Sequence, residues 1–127
     1  MERRKDLGYP TDMDLSEVEV RFWADGDCMN SPDAPIRIKN GQRLRVMEYD
    51  GDFNPFADIE RVRGKVCAIQ YIADGKRYFA VKEIVGVDEL AGCLRMVYYN
   101  PQKTFISLRV EAIEKIYIVD GVEDKRG

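Results

Sequence analysis

Three cysteines, at positions 28, 67 and 93, are the strongest candidate nucleophiles in this 127-residue sequence, which contains no histidine. A free thiol has a pKa of about 8.5, so at neutral pH it needs a neighbouring base or cation to react as a thiolate. Without histidine, the remaining nitrogen bases are lysines and the amino terminus. The lack of histidine also excludes a histidine-based triad, histidine-ligated zinc or haem, and histidine pH switching.

The three cysteines differ in their sequence surroundings. Cys28 follows a Gly-Asp turn signal, where a thiol could lie at the end of a strand, although a small buried hydrophobic role is the commoner one for such a cysteine. Cys67 lies inside an apolar strand and should be buried and inert, whereas Cys93 follows a glycine turn and has no cation assigned to it. The odd count and the lack of a CxxC pair argue against a zinc ribbon or a thioredoxin-like site and favour a reducing cytoplasm.

Lys82 is the lysine of most interest, because it lies inside a predicted strand over residues 78–85. Alternation places it on the same face as Ala80 and Ile84. Such a lysine is most often an exposed partner for a neighbouring strand. The functional alternative is a partly buried amine that has lost its charge and acts as a general base.

Other clusters are weaker candidates for chemistry. Asp50, Asp52 and Asp58 lack the spacing of a calcium loop, and the first two belong to a plain turn, so we expect neither a metal nor another cofactor. The aromatic residues fall on predicted strands without interleaved basic residues, which favours core packing over base stacking. With 20 basic and 23 acidic residues, the net charge of −3 also argues against direct binding to nucleic acid or to an anionic membrane.

The elements that must position these residues are predicted to be short strands. Period-two or β-branched patterns fall at 17–23, 43–49, 65–72, 78–85, 94–99 and 112–119, with turn signals over 24–41, at 50–52 and at 73–76. Residues 53–63 are ambiguous, and no window shows sustained helical periodicity. The predicted fold class is therefore mainly β, built from short strands and hairpins with little helix.

The chain divides into three parts by composition. Residues 1–16 form a polar arm, residues 17–120 a single domain, and residues 121–127 a charged tail. The charged start lacks the apolar core of a signal peptide, and no apolar run is long enough to span a bilayer, so we expect a cytoplasmic protein.

Several segments, taken in order, resemble the self-cleaving peptidase domain of LexA-type repressors and UmuD-like mutagenesis proteins. They cover about residues 17–120, and as a set they are most similar to repressor-like proteins of phage or mobile-element type. The matching segments are Gly26-Asp27-Cys28-Met29, Ile38 to Val46, Gly64 to Ile69, Ala80-Val81-Lys82-Glu83-Ile84, Leu94 to Pro101 and Ile113 to Tyr117.

The resemblance implies a serine-lysine dyad, in which an unprotonated lysine takes the proton of the nucleophile. Carried onto this chain, the lysine is Lys82 and the nucleophile position holds Cys28 in place of serine. Ser31 lies three residues further on, after the methionine of the motif, which argues against it as the nucleophile. A thiol is more easily deprotonated than a hydroxyl, but the larger sulfur disturbs a site shaped around oxygen.

Two functions follow as expectations from this resemblance. The first is a hydrolase domain of a phage-repressor or SOS-type transcription regulator, with a Cys28–Lys82 dyad that cleaves a polypeptide segment. The alternative is an inactive dimerisation or interaction module that keeps the fold. Residues 1–16 have neither the length nor the periodicity of the helix-turn-helix that LexA-like repressors carry, so we expect no DNA binding of that kind by this chain.

Two further expectations concern assembly and self-cleavage. The apolar segment 113–119 would be an aggregation-prone edge if left bare, and the family resemblance implies dimers, so we predict a homodimer. The family cleaves Ala-Gly or Cys-Gly bonds upstream of the nucleophile, and neither occurs upstream of Cys28. The Ala91-Gly92 pair lies downstream, where a plain turn is the favoured interpretation, so we predict that the chain does not cut itself.

Overall fold

The computed structural model describes residues 9–10, 22–23, 27–48 and 54–123. Within these ranges the protein is mainly β, which confirms the predicted fold class. One α-helix, α1 (Pro55–Val62), and a 3-10 turn (Val110–Ala112) accompany the strands. The strands are β1 (Tyr9–Pro10), β2 (Phe22–Trp23), β3 (Arg43–Glu48), β4 (Val66–Ala73), β5 (Lys76–Asp88), β6 (Cys93–Tyr98), β7 (Thr104–Arg109) and β8 (Ile113–Glu123).

The described strands form one antiparallel sheet in the order β2-β3-β8-β4-β5-β6-β7, and β1 pairs with β5. The β4–β5 hairpin turns at Asp74 and Gly75, which both have positive φ values, 53° and 75°. This backbone suits an Asp-Gly pair, as the sequence predicts. The hairpin matters for the site because it holds β5, the strand that carries Lys82.

Most predicted strands are confirmed, with shifted ends. The strand predicted at 78–85 is longer in the structure, and the one predicted at 112–119 continues through residues 121–123 of the predicted tail. Strand β7 was not predicted. Of the strand predicted at 17–23, only residues 22–23 are described, and most of the predicted arm lies outside the described residues.

The last strand is not an edge. Ile118 of β8 pairs with Met47 of β3 on one side and with Cys67 of β4 on the other. The apolar segment 113–119 is therefore covered by neighbouring strands of its own chain, and the edge-strand argument for a homodimer is wrong. Its apolar character comes from its central position in the sheet.

Two hydrophobic clusters lie on the two faces of the sheet. Successive residues of β4 alternate between them: Cys67 and Ile69 belong to the first, whereas Val66 and Ala68 belong to the second. Helix α1 covers the first face. The second face is covered by residues 27–42, here called the site loop, whose apolar side chains are Met29, Ala34, Ile36 and Ile38.

Helix α1 begins at a capped turn. The side chain of Asn54 accepts hydrogen bonds from the backbone of Phe56 and Ala57, and the carboxylate of Asp58 accepts one from the backbone N–H of Asn54 at 2.8 Å. Asp58, one of the three aspartates weighed as metal ligands, thus serves the helix start. Asp50 and Asp52 lie outside the described residues.

Among the residues that the structure describes, no helix has the length and apolar character needed to cross a membrane.

Candidate active site

Cys28 lies at the second position of a tight turn over residues 27–30. The turn closes through a 2.9 Å hydrogen bond from the backbone N–H of Asn30 to the carbonyl of Asp27. The Asp27 carboxylate stiffens it by accepting hydrogen bonds from the side chain of Asn30 at 3.2 Å and from the backbone of Asn40 at 2.9 Å. The Gly-Asp signal in the sequence therefore marks a turn that presents Cys28.

The turn is fastened to the segment that follows β6. The carbonyl of Cys28 accepts hydrogen bonds from the backbone N–H groups of both Tyr99 and Asn100, each at 2.9 Å. The side-chain amide of Asn100 donates to the carbonyl of Asp27 at 2.8 Å. Met29 is buried in the second cluster and anchors the turn to that face of the sheet. These contacts fix the backbone of Cys28 relative to the sheet.

Lys82 lies in the middle of β5, opposite Cys67 of β4 in the strand register. Only 2% of its surface is exposed, so the interpretation as an exposed cross-strand partner is wrong. Its Nζ lies 3.2 Å from the Sγ of Cys28 and 5.2 Å from the centre of the Tyr98 ring. The structure thus brings together the two residues that the sequence singled out.

The sulfur of Cys28 has a second neighbour, the carbonyl of Val81, at 3.6 Å. Val81 directly precedes Lys82, so β5 supplies both polar contacts of the sulfur. A protonated thiol can donate to this carbonyl while accepting from Lys82, and a thiolate can accept from the ammonium form of Lys82. The proton can therefore pass between the two side chains without a large movement of either.

Tyr99 and Glu83 form a second polar pair beside the site. The Tyr99 hydroxyl donates a short hydrogen bond to the Glu83 carboxylate. Burial, together with the hydrogen bond and negative charge of Glu83 and the charge of Asp33, raises the pKa of Tyr99 to about 12. Tyr99 also donates its backbone N–H to the carbonyl of Cys28, so this pair lies next to the turn that carries the thiol.

The other candidate nucleophiles are placed elsewhere. The hydroxyl of Ser31 accepts a 3.1 Å hydrogen bond from the backbone of Asp33 and so helps to shape the site loop. Cys67 is fully buried, which confirms its predicted burial, and this burial raises the pKa of the thiol to about 12. Cys93 is partly buried, and its sulfur lies 3.6 Å from the carbonyl of Ala91.

The Ala91-Gly92 bond lies in the turn between β5 and β6, as the plain-turn interpretation predicts. Gly92 has a φ of 69°, which favours glycine. Its N–H donates to the carbonyl of Asp88, and its own carbonyl accepts from Val110, both at 2.9 Å. A peptide held in this way is not extended, as a peptide lying in a cleavage site must be.

Sequence reasoning missed the residues that hold the site together. Tyr98, Tyr99 and Asn100 were assigned only to a strand and to its Asn-Pro breaker. No local pattern announces that Asn100 binds a turn lying 73 positions earlier in the chain. The one available signal was an asparagine at the end of a strand, a residue type that often forms hydrogen bonds with backbone groups.

Comparisons with protein-family models, with curated proteins and with solved structures find no significant match to this chain. The functional argument therefore depends on the arrangement of the residues themselves.

Proposed function

We propose that this chain is a peptidase domain of LexA-like type, in which Cys28 is the nucleophile and Lys82 the general base. The observation that carries the proposal is the 3.2 Å separation of the Cys28 sulfur and the Lys82 amine, together with the burial of Lys82. A candidate base must be within hydrogen-bond reach of the proton it takes. The burial of Lys82 also keeps bulk water away from the pair.

The arrangement supports a two-step hydrolysis. Lys82 takes the thiol proton, and the sulfur of Cys28 attacks the carbonyl carbon of a peptide bond. The bond to the leaving nitrogen then breaks as Lys82 returns the proton to that nitrogen, which leaves a thioester on Cys28. Water, deprotonated by the same amine, hydrolyses the thioester and regenerates the thiol.

The turn offers candidate donors for the oxygen anion that forms during the attack. Its closing hydrogen bond uses the N–H of Asn30. The backbone N–H groups of Cys28 and Met29 belong to the same turn. Such N–H groups beside a nucleophile stabilise developing negative charge.

The wider biological setting belongs to the same proposal and is supported by the ordered resemblance to LexA-type repressors and UmuD-like proteins. It comprises a regulator of phage-repressor or SOS type, a polypeptide segment as substrate, and a homodimer. A cytoplasmic location suits a nucleophilic thiol, because a reducing compartment keeps it free. Light scattering is expected to give twice the chain mass of 14.7 kDa, and a monomer mass would remove the dimer from the proposal.

Peptide cleavage is tested with a library of unstructured peptides whose new amino termini are labelled after incubation. We expect cleavage at a restricted set of sequences by the unaltered chain. The same products should be absent with Cys28→Ala and with Lys82→Met. Cys93→Ala serves as the matched control, because it removes a partly buried thiol that lies outside the site, and it should leave the products unchanged.

Products that persist in Cys28→Ala would show that a contaminating protease made them. The absence of Cys28-dependent products would refute the peptidase and leave the interaction module as the function of this fold.

A further inference from the structure

The Cys28–Lys82 pair also has the geometry for a reaction between its own two members. The amine of Lys82 and the sulfur of Cys28 lie 3.2 Å apart, and the lysine is 2% exposed, whereas Cys28 is only partly buried. An acyl group on this sulfur would therefore sit next to an amine that small reagents in solution cannot easily reach.

We propose that this pair is an acyl-transfer site, at which Cys28 accepts an acyl group from a small thioester and passes it to Lys82. The substrate class is an acyl thioester of a soluble thiol. The product is an amide on a buried lysine. The chain is therefore modified once and does not release a product as in a catalytic cycle. The reaction needs only the geometry of the pair and does not depend on peptide cleavage.

Each step balances without an oxidant or another co-reactant. Lys82 takes the proton of the Cys28 thiol, and the sulfur attacks the thioester carbonyl. The carbon–sulfur bond of the donor breaks, and the donor leaves as a thiol after taking up the proton. The neutral amine of Lys82 then attacks the new thioester on Cys28. Its carbon–sulfur bond breaks, the amine loses a proton to the departing sulfur, and the Cys28 thiol is restored.

The separation of the two atoms favours the second step. Reacting groups held about 3–3.5 Å apart are close to an attack geometry, and a fixed placement replaces an encounter in solution. Little movement is needed for this attack. In the tetrahedral intermediate one carbon is bonded to both the sulfur of Cys28 and the nitrogen of Lys82, which places these two atoms slightly closer together than the 3.2 Å of the hydrogen bond. Thioesters also react readily with amines, whereas the oxygen esters of a serine nucleophile react less readily.

The surroundings restrict the reaction to Lys82. Tyr98 contacts its amine from one side, and the turn carrying Cys28 covers it from another. Exposed lysines such as Lys39 and Lys76 meet reagents directly from solution. Acylation of Lys82 ahead of these exposed lysines therefore requires passage through Cys28.

Acylation has a consequence for the site. An amide nitrogen can neither take a proton from the thiol nor carry a positive charge beside a thiolate. The modified chain would keep Cys28 but lose its base. A soluble acyl thioester would thus switch off any chemistry that depends on the pair.

The test uses the full chain and S-acetyl-N-acetylcysteamine, a small acetyl thioester, with acetylation mapped by peptide mass spectrometry. We expect Lys82 to be acetylated faster than Lys39 and Lys76 by about tenfold or more, as an intramolecular transfer allows. Cys28→Ala should remove the acetyl group from Lys82 and leave acetylation of the exposed lysines unchanged.

A second variant, Lys82→Arg, separates the two steps. Arginine can neither take the thiol proton nor accept the acyl group, but its positive charge still stabilises a thiolate that has lost its proton to water. Cys28 should therefore be acetylated more slowly than in the unaltered chain, and the acetyl group should stay on it as a thioester that hydroxylamine removes. Circular dichroism confirms that each variant is folded. Acetylation of Lys82 that persists in Cys28→Ala would overturn the proposal, as would a Cys28 thioester in the unaltered chain that never passes to Lys82. Peptide cleavage is tested separately by the library experiment. Its turnover requires that water reaches the peptide-derived thioester on Cys28 before Lys82 attacks it, because transfer to Lys82 would end the reaction.

Discussion

The amine of Lys82 lies 3.2 Å from the sulfur of Cys28, although the two residues are 54 positions apart in the chain. They reach this separation by different routes. Lys82 is fixed by the pairing of β5 with β4, whereas Cys28 is fixed by hydrogen bonds from the segment after β6 to its turn. Because both routes lead to the same sheet, the pair is positioned by the fold itself.

The first prediction concerns the order in which the thiols react with iodoacetamide. Cys28 should be alkylated first at neutral pH, followed by Cys93, and Cys67 should stay unmodified in the folded chain. Burial removes Cys67 from the reagent and raises its pKa to about 12, so its thiolate is scarce until strongly alkaline pH. Peptide mass mapping over time gives the order, and alkylation of Cys93 well before Cys28 would contradict it.

The second prediction separates stability from reactivity at Lys82. Replacing this buried amine with the apolar side chain in Lys82→Met should leave the free energy of unfolding unchanged or raise it by up to about 1 kcal/mol, because a buried polar group is exchanged for an apolar one of similar shape. Alkylation of Cys28 should become slower in the same variant. Urea unfolding and alkylation kinetics measure the two effects. A large loss of stability would show that the amine serves the fold instead of the site.

The third prediction is a loss of stability at alkaline pH that depends on Tyr99. Its pKa rises from 10.0 to about 12 on folding, through burial and the neighbouring Glu83. A group whose pKa is higher in the folded state stabilises that state below its unfolded pKa and loses this contribution as the pH rises through the folded value. The stability of the unaltered chain should therefore fall between pH 10 and about 12, relative to Tyr99→Phe.

Thermal unfolding across this range, with both chains measured side by side, gives the comparison. If the melting temperatures of the two chains change with pH in parallel, the ionisation of Tyr99 does not affect the stability of the fold. Because a tyrosinate would repel the Glu83 carboxylate, and Tyr99 holds the carbonyl of Cys28, we also expect alkylation of Cys28 to change in the same pH range.

The strands were predictable where each residue pattern had one reading. In β3, buried Leu44 and exposed Arg45 follow the expected alternation, and the Asp74-Gly75 pair marks its hairpin turn. Strand β7 was missed although Ile106 and Leu108 alternate with exposed neighbours, because Asn100-Pro101 ended the preceding segment. Helix α1 was left ambiguous despite the Asn54-Pro55 start, which is typical of a capped helix.

The two principal residues of the candidate site were predictable from the sequence, whereas the residues that hold them in place, such as Tyr99 and Asn100, were not. The order of the motifs pointed to Cys28 and Lys82 together. Their contact depends on long-range pairing that no local pattern encodes, and so does the burial of Lys82, whose amine contacts Cys28 and the Tyr98 ring. The position of β8 shows the same limit, since an apolar strand near a chain end can be an edge or a centre until its neighbours are known.

The fourth prediction concerns the element at the nucleophile position. Cys28→Ser replaces sulfur with the oxygen that the LexA-like pattern carries. The variant should stay folded and retain peptide cleavage, since Lys82 can still take the hydroxyl proton, but it should lose the transfer of acetyl groups to Lys82. Cleavage by the peptide library and acetylation by the thioester probe are measured on the same preparation. Loss of both activities in a folded variant would show that the site requires sulfur.

The last prediction is that the chain does not cleave itself. Its one Ala-Gly bond, at Ala91-Gly92, is held in the β5–β6 turn by hydrogen bonds on both sides of Gly92. To lie extended across Cys28, this turn would have to release those bonds and separate from Asp88 and Val110. The intact mass should therefore stay constant during long incubation at alkaline pH. A fragment that begins at Gly92, and that disappears in Lys82→Ala, would show that a segment of this chain does reach the dyad.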